Sequence, residues 1–362
     1  MSWGSDDARC RCEYKQGDEL PDERDPPLKV QIDGVETTLY VAYPKWWSEA
    51  ATDGEKELTF DYNNRMYLAT SREEDPQAVD PTKYFKPNML GGSFEYDVDL
   101  SQVGCGCVTA LYTIMMPSVD DNDDPWKYCD AAGVGGYLCP EFDIMEANKY
   151  AFYTTAHKCN EPDAFGNYDW CDRGGQCTSN LLDSVTGNHP HPDFMPGSTS
   201  GINTEQEFHV KIDFHETNSK FSGYTLKMTQ GDKEVVYNKE NCSYLNDMTS
   251  DVQQMVFAIS NWSGDISWLQ HNACQGQCSQ TATFSSFKNL SFTTAGNVPP
   301  NPDPPTPPTP VDNTVYMYGN KCPAAEDSSL CGEDCYNCHR SYPFEDPLEW
   351  NSAEVACRCL PD

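Results

Sequence analysis

The stretch that decides the fold of this chain is residues 140–148, Pro-Glu-Phe-Asp-Ile-Met-Glu-Ala-Asn. It places three carboxylates, Glu141, Asp143 and Glu146, in an E-x-D-x-x-E array with apolar residues between them. In a β-strand, residues 141 and 143 share one face and residue 146 points to the other. A single β-bulge between 143 and 146 would return Glu146 to the first face. We therefore predict three acids that point into one cleft.

Three carboxyl groups held this close have a direct chemical consequence. They cannot all ionise near neutral pH, so at least one should hold a proton. An ionised carboxyl beside a protonated one is the pair that retaining glycoside hydrolysis requires. The competing interpretations are an acidic strand at a sheet edge and a calcium site.

The overall charge excludes several classes of partner. The chain has 362 residues and a formal charge of −33, from 57 acidic and 24 basic residues. A polyanion repels nucleic acid and anionic membrane surfaces, so we expect neither as a partner. The sequence also lacks an apolar stretch of about 20 residues, so it predicts no transmembrane helix. Aromatic residues make up 12% of the chain, which is typical of a folded protein rather than an acidic tail.

The 18 cysteines indicate the compartment. Their number is even and their density favours a disulfide-rich secreted protein. Zinc binding is the alternative, because Cys335-x-x-Cys338 and Cys274-x-x-x-Cys278 have ligand-like spacings. Asn-x-Ser sequons at Asn241, Asn261 and Asn289 fit a secreted glycoprotein. The polar first residues are not a signal peptide, so we expect that Met1 is not the native start.

The domain organisation follows from a proline-rich run at residues 299–310, which is typical of an extended spacer. Trp3…Cys10-Arg-Cys12 also parallels Trp350…Cys357-Arg-Cys359 without a gap, so we expect an internal repeat and a larger modular polypeptide or extracellular assembly. We predict four parts: a segment 1–27 resembling the end of a Cys-rich module, a catalytic body 28–295, a linker 296–311, and a small module 312–362. The module has six cysteines, enough for three disulfides, and would serve binding or assembly.

The body is predicted to be all-β. Short runs of apolar and β-branched residues, many of them alternating with polar ones, indicate half-buried strands separated by long loops. This pattern favours a curved two-sheet β-jelly-roll sandwich with disulfide-tied loops. The nine predicted strands besides the acid strand are 29–32, 37–42, 65–69, 93–100, 110–116, 207–214, 223–228, 255–262 and 285–292.

Several motifs, in order, resemble one known family. They match glycoside hydrolase family 7, the cellobiohydrolases and endoglucanases that cleave β-1,4-glucan, over about residues 58–295. Besides the acid strand, the matching motifs are Arg65-Met-Tyr-Leu-Ala, the strand that begins at Met89, Cys105 with Ala110-Leu-Tyr112, His157-Lys-Cys159, the strand that ends at Trp262, Ser267-Trp268-Leu, and Cys278 through Phe284-Ser-Ser-Phe-Lys.

The resemblance implies roles for particular residues. Glu141 would be the nucleophile, Glu146 the acid/base, and Asp143 the residue between them that tunes the nucleophile. His157 would lie near the acid/base. Trp262 and Trp268 would stack on sugar rings, although either could be a core residue, and Tyr112 would belong to either the cleft or the core. No metal or cofactor is implied.

Two departures from the family pattern limit what it implies about substrate. The family has Asn before Ala-Leu-Tyr, where this chain has Val108 or Thr109, and an arginine where this chain has Val185. The short body favours an open cleft and endo action. We therefore expect a secreted retaining β-1,4-glucanase whose partner is a β-glucan. The alternatives are a catalytically silent polysaccharide-binding or structural protein, and a hydrolase of mixed-linkage or β-1,3-glucan.

Overall fold

The structure is a computed structural model that describes residues 10–12, 26–43, 50–53, 55–72, 80–118, 126–180, 191–269, 274, 276–279, 284–295 and 357–359. These residues form 19 strands and three short 3₁₀ helices, at Pro81–Lys83, Ser243–Met248 and Asp251–Gln253. The strands are β1 Cys10–Cys12, β2 Pro27–Ile32, β3 Val35–Ala42, β4 Ala50–Asp53, β5 Glu57–Asp61, β6 Asn64–Ala69, β7 Ser93–Asp99, β8 Cys107–Ile114, β9 Glu141–Asn148, β10 Ala151–His157, β11 Gln176–Asn180, β12 Phe194–Met195, β13 Ile202–Asn203, β14 Phe208–Thr217, β15 Lys220–Gln230, β16 Lys233–Lys239, β17 Val256–Ser263, β18 Phe284–Thr293 and β19 Cys357–Cys359.

The all-β prediction is confirmed, and every predicted run overlaps a strand, with some predicted ends one or two residues beyond it. The chain also contains strands that the pattern did not reveal, among them β10 and β16. In β10, which reads Ala-Phe-Tyr-Thr-Thr-Ala-His, five of the seven residues are buried, so its pattern does not alternate. In β16, Val235 and Val236 are neighbours on opposite faces, one buried and one exposed, which also hides the alternation.

One continuous hydrogen-bonded path of strands builds the body, in the order β11-β10-β9-β8-β17-β6-β3-β2-β18-β7-β14-β15-β16. In addition, β5 pairs with β18, and β4 pairs with β5. The path folds back on itself, because Phe142 of β9 packs against Phe214 of β14 and Tyr224 of β15, each with ring centroids 5.5 Å apart. Strands that are distant along the path thus face each other across one apolar core. This is the predicted curved jelly-roll sandwich.

Five disulfides tie the loops of the body: Cys105–Cys274, Cys107–Cys278, Cys129–Cys139, Cys159–Cys171 and Cys177–Cys242. The zinc interpretation is therefore wrong for Cys274 and Cys278, since each sulfur is already bonded to another cysteine. Cys335 and Cys338 lie outside the described residues. The disulfide from Cys177, in the end strand β11, to Cys242, just after the end strand β16, joins the two ends of the folded path.

The three sequons differ in accessibility. Asn261 is fully buried in β17 and donates a hydrogen bond from its side-chain amide to the Ser285 hydroxyl at 3.2 Å. An acceptor for glycosylation must reach solvent, so Asn261 is excluded. Asn241 and Asn289 are exposed and remain available.

The chain divides into two compact units, Met1–Asp22 with Asp303–Asp362, and Glu23–Pro302. In the first unit, β1 and β19 pair antiparallel, with Cys10 opposite Cys359 and Cys12 opposite Cys357. The two Cys-Arg-Cys repeats therefore pair with each other. The predicted linker and most of the predicted module lie outside the described residues, so the predicted domain boundaries stay predictions.

Candidate active site

The predicted bulge in the acid strand is present. On one side of β9, Asp143 pairs with Thr155 and Glu146 with Tyr153, so Ile144 and Met145 together oppose Thr154. On the other side, Asp143 pairs with Tyr112 and Met145 with Leu111, which again leaves Ile144 as an additional residue. The local reason is hydrophobic, because Ile144 and Met145 both enter the apolar core. Glu146 is thereby returned to the face that carries Glu141 and Asp143, which we call the acid face.

The neighbouring strands extend the acid face. Tyr112 lies directly opposite Asp143, and residues opposite each other in a sheet share a face. Tyr112 is only 4% exposed and belongs to a cluster of buried aromatic residues that floors this face. Its hydroxyl lies 3.2 Å from the Tyr128 hydroxyl, and burial raises the pKa of Tyr112 to about 12. The structure therefore places Tyr112 in the floor beside the acids, while its contact with sugar stays a prediction.

Glu141 is held from the loop that precedes β9. The backbone N–H of Ala131 donates to Glu141 Oε2 at 2.9 Å. The same loop carries Asp130, which is buried and accepts hydrogen bonds from the Tyr128 hydroxyl at 2.8 Å and the Val134 N–H at 2.9 Å. Burial, together with the negative charges of Asp143 and Asp130, raises the pKa of Glu141 well above its ordinary value. Asp130 is thus a fourth acid of the site, which sequence reasoning missed.

His157 is placed between Asp143 and a backbone carbonyl. Its Nε2 lies 2.9 Å from Asp143 Oδ2, and its Nδ1 donates to the Asp172 carbonyl oxygen at 2.9 Å. Burial opposes the imidazolium charge, but the hydrogen bond to Asp143 and the charges of Asp143 and Glu141 raise the pKa of His157 to about 10. His157 therefore brings a positive charge to the acid face.

A close-packed turn holds this histidine. The Cys159–Cys171 disulfide closes the loop before Asp172, and Gly175 follows with a positive φ of 63°. A Cβ at Gly175 would lie 2.6 Å from His157 Cε1 and 2.4 Å from Thr155 Cγ2. Only glycine fits there without moving the imidazole. Neither Asp172 nor Gly175 has a sequence signal beyond its place in the Cys-Asp-Arg-Gly-Gly turn.

Glu146 is placed beside the two tryptophans. Burial, followed by the negative charge of Asp143, raises the pKa of Glu146 to about 8, although a hydrogen bond from the Trp268 indole works against the shift. Trp268 is 40% exposed, and its ring centroid lies 6.1 Å from that of Trp262 at an angle of 43°. Trp262 is half-buried on a small apolar cluster that includes Val108. The structure thus brings Trp262 and Trp268 together next to Glu146, with exposed ring surface.

The two departures from the family pattern have different outcomes. Val108 lies directly opposite Trp262 and is fully buried beneath it, whereas the Thr109 hydroxyl points elsewhere, to Ser285 Oγ at 2.6 Å. Val108 is therefore the residue on the acid face, where it offers no hydrogen bond to a sugar. Val185 lies outside the described residues.

The described ranges lack two kinds of feature. No helix there is long and apolar enough to cross a membrane. No group of three or more His, Cys, Asp or Glu side chains within those ranges could hold a metal ion.

Comparisons with known proteins concern the fold and part of the sequence. No family model matches the chain. It is 33% identical over 119 residues to endoglucanase type C of Fusarium oxysporum, covering 26% of this chain and 28% of the relative. It is 30% identical over 139 residues to endoglucanase 1 of Pyricularia oryzae, covering 31% of each. The matches thus span less than a third of the length of these curated relatives.

The structural matches are longer. An endoglucanase I complexed with cellobiose superposes with a TM-score of 0.58 at 17% identity, over 77% of this chain and 98% of the other. A GH7 family cellobiohydrolase from Daphnia pulex gives 0.59 at 16% identity, over 77% and 99%. A cellobiohydrolase from Melanocarpus albomyces complexed with cellotetraose gives 0.54 at 17% identity, over 78% and 99%. The chain therefore shares the fold of these enzymes and part of its sequence with endoglucanases, which confirms its resemblance to glycoside hydrolase family 7 as a divergent, shortened form.

Proposed function

We propose that this chain is a secreted, retaining β-glucanase that hydrolyses β-1,4-glucan by endo action. The observation that carries the proposal is the bulge in β9, which gathers Glu141, Asp143 and Glu146 on one face. The endoglucanase relatives and the cellobiose and cellotetraose complexes of the structural neighbours support the substrate class. The five disulfides support secretion.

In the first step, Glu141 attacks the anomeric carbon while Glu146 donates its proton to the departing glycosidic oxygen. The raised pKa of Glu146, about 8, keeps that proton available at neutral pH. In the second step, Glu146 accepts a proton from water, which attacks the glycosyl-enzyme and releases Glu141. The two carboxyl groups should lie about 5–5.5 Å apart, as retention requires.

His157, which Asp143 holds at 2.9 Å, supports the ionised nucleophile. Glu141 must be ionised to attack, yet burial and its acidic neighbours favour its protonated form. The positive charge of His157 and the N–H of Ala131 work in the opposite direction. The acids titrate together as a coupled array, in which the active state has a proton on Glu146 and none on Glu141.

Endo action is supported by the exposed ring surface of Trp268, which indicates that this part of the acid face is open to a polymer chain. A sugar ring stacked there would lie beside the proton donor, because the Trp268 indole is hydrogen-bonded to Glu146. The aromatic face supplies apolar contact and the indole N–H stays paired.

The test is hydrolysis of a panel of soluble β-glucans, with β-1,4, mixed-linkage and β-1,3 polymers, followed by proton NMR of the first product. We expect reducing sugar from the β-1,4 polymer, an early fall in viscosity, and a β-anomeric product. An α-anomeric product would contradict retention, and a preference for another polymer would change the substrate. A chain that binds glucan without cleaving any polymer would be the catalytically silent protein.

A further inference from the structure

A pocket of about 290 Å³ lies near the start of β9, and none of the residues of the proposed chemistry lines it. Its walls come from the segment that follows β8, the loop that ends at the Cys129–Cys139 disulfide, and the Gly166–Tyr168 part of the loop after β10. Its volume is at the lower end of the range for small-ligand sites, about 300–1,000 Å³. Cys139 lines the pocket two residues before Glu141, so the pocket adjoins the nucleophile end of β9.

The lining has the chemistry of a sugar site. Tyr137 and Tyr168 provide aromatic surface, while Asn167 and Ser118 provide hydrogen-bonding groups. Lys86, the only charged residue of the lining, is half-buried and has no hydrogen bond or ion pair among the described residues. An ammonium group has three donors, and leaving them unpaired in a half-buried place is costly unless a ligand or water accepts them.

The loop that supplies Asn167 and Tyr168 also exposes two large aromatic side chains. Phe165 is 82% exposed and Trp170 is 52% exposed. Phe165 directly precedes and Trp170 closely follows the lining residues 166–168 along the chain, and large exposed aromatic rings beside a pocket are typical of an interaction site.

This loop is rigid, so the exposure of its rings does not come from a lack of structure. The Cys159–Cys171 disulfide closes it. Asp163 Oδ1 accepts from the N–H groups of Phe165 at 2.8 Å and Asn167 at 2.9 Å, and the Asn160 N–H donates to the Trp170 carbonyl at 3.0 Å. A preformed aromatic surface loses little entropy when it binds a ligand.

We propose that the pocket and this loop form an additional binding surface for neutral sugar units of a polysaccharide chain, beyond the units held on the acid face. The pocket takes one unit, with Lys86 and Asn167 donating to its hydroxyls, and the rings of Phe165 and Trp170 support further units. A neutral ligand fits better than an acidic one, because the chain has a charge of −33 and the acids Asp251 and Glu161 lie near the Tyr168 hydroxyl. This inference rests on the proposed function for the identity of the polysaccharide.

The test measures binding by titration calorimetry to the full chain carrying Glu141→Gln, so that no ligand is hydrolysed. Cellobiose serves as the short ligand and cellohexaose as the long one. The double variant Phe165→Ala/Trp170→Ala should weaken cellohexaose binding about two- to tenfold and leave cellobiose binding unchanged. Lys86→Met should weaken cellohexaose binding in the same direction. Val236→Ala is the matched control, since Val236 is an exposed apolar residue on β16, and it should change neither.

Equal losses for both ligands, or no loss for either, would overturn the proposal. If an oligosaccharide that contains glucuronic acid binds more tightly than cellohexaose, and Lys86→Met removes the difference, the proposal that the ligand is neutral is wrong. Because binding is measured without turnover, a chain that proved inactive as a hydrolase would still give a clear result here. Conversely, if the wild-type chain is an active hydrolase and the loop variants keep the same difference in affinity between cellohexaose and cellobiose, this inference is wrong while the proposed function stands.

Discussion

The two faces of β9 make opposite use of the same eight residues. One face carries Phe142, Ile144, Met145 and Ala147 into the apolar core, where each is fully buried. The other face carries Glu141, Asp143 and Glu146, whose charges are costly to bury. The core face stabilises the fold by removing apolar surface from water. This stability offsets the cost of burying carboxyl groups on the acid face, where their pKa values are raised. Substitutions on the two faces should therefore separate activity from stability.

Glu141→Gln should produce the largest effect. It removes the nucleophile and keeps the shape of the side chain, so kcat on soluble β-1,4-glucan should fall by at least about 10³-fold. The stability of the fold should be unchanged or higher, because a buried carboxyl is replaced by a neutral amide. Initial rates and urea unfolding of the same preparation would measure both. A drop in unfolding free energy that matches the loss of activity would contradict the separation of the two faces.

Phe142→Ala, the next residue in the strand, should produce the reverse result. Phe142 is fully buried and contacts the rings of Phe214, Phe221 and Tyr224. Its loss should lower the free energy of unfolding by about 3–5 kcal/mol through the cavity that it leaves. The molecules that remain folded should keep most of their kcat, measured after correction for the folded fraction from circular dichroism. Complete loss of kcat in fully folded protein would show that the two faces are not separable.

The placement of the three acids on one face was predictable from sequence, since E-x-D-x-x-E needs a bulge if all three are to share a face. The two apolar residues at 144 and 145 give that bulge its reason. Asp130 was not predictable, because its position depends on the pairing of Asp130 with Leu138 and on the Cys129–Cys139 disulfide, which are contacts between separate parts of a loop. The placement of His157 by Asp172 likewise depends on a turn whose geometry a linear pattern does not reveal.

The pH dependence of stability and of kcat should also distinguish the two faces, because Glu146 on the acid face changes its protonation state. Its pKa is about 8 in the folded chain and near 4.5 when unfolded, and that of His157 is about 10 against 6.5. Both folded-state values are raised, so the folded chain binds more protons than the unfolded chain above pH 4.5. The stability contributed by Glu146 is therefore complete below pH 4.5 and is lost as pH rises through about 8, while that of His157 is complete below 6.5 and is lost through about 10.

We therefore expect the free energy of unfolding to fall between pH 6 and pH 9, and kcat to fall on the alkaline side near pH 8 as Glu146 loses its proton. Glu146→Gln should reduce the fall in stability and remove the alkaline limb from its residual activity. Urea unfolding and kcat, each as a function of pH, are the measurements. An equally steep stability profile in Glu146→Gln would show that this carboxyl does not hold the proton.

Asp130→Asn should produce the smallest effect, and it tests the acid that lies outside β9. Asp130 acts on Glu141 through its negative charge, which contributes to the raised pKa of the nucleophile. In asparagine the carbonyl oxygen can keep the hydrogen bond from the Val134 N–H, and the side-chain NH₂ can donate to the Tyr128 hydroxyl, which is reoriented. The acidic limb of the kcat profile should therefore move to lower pH, while the kcat at the optimum changes only several-fold. Asp232→Asn, at an exposed turn 89% accessible at its side chain, is the matched control and should move neither limb. If the acidic limb of the kcat profile stays unchanged in Asp130→Asn while the free energy of unfolding falls, Asp130 only supports the loop. The charges that set the pKa of Glu141 would then be confined to the residues of β9 and β10.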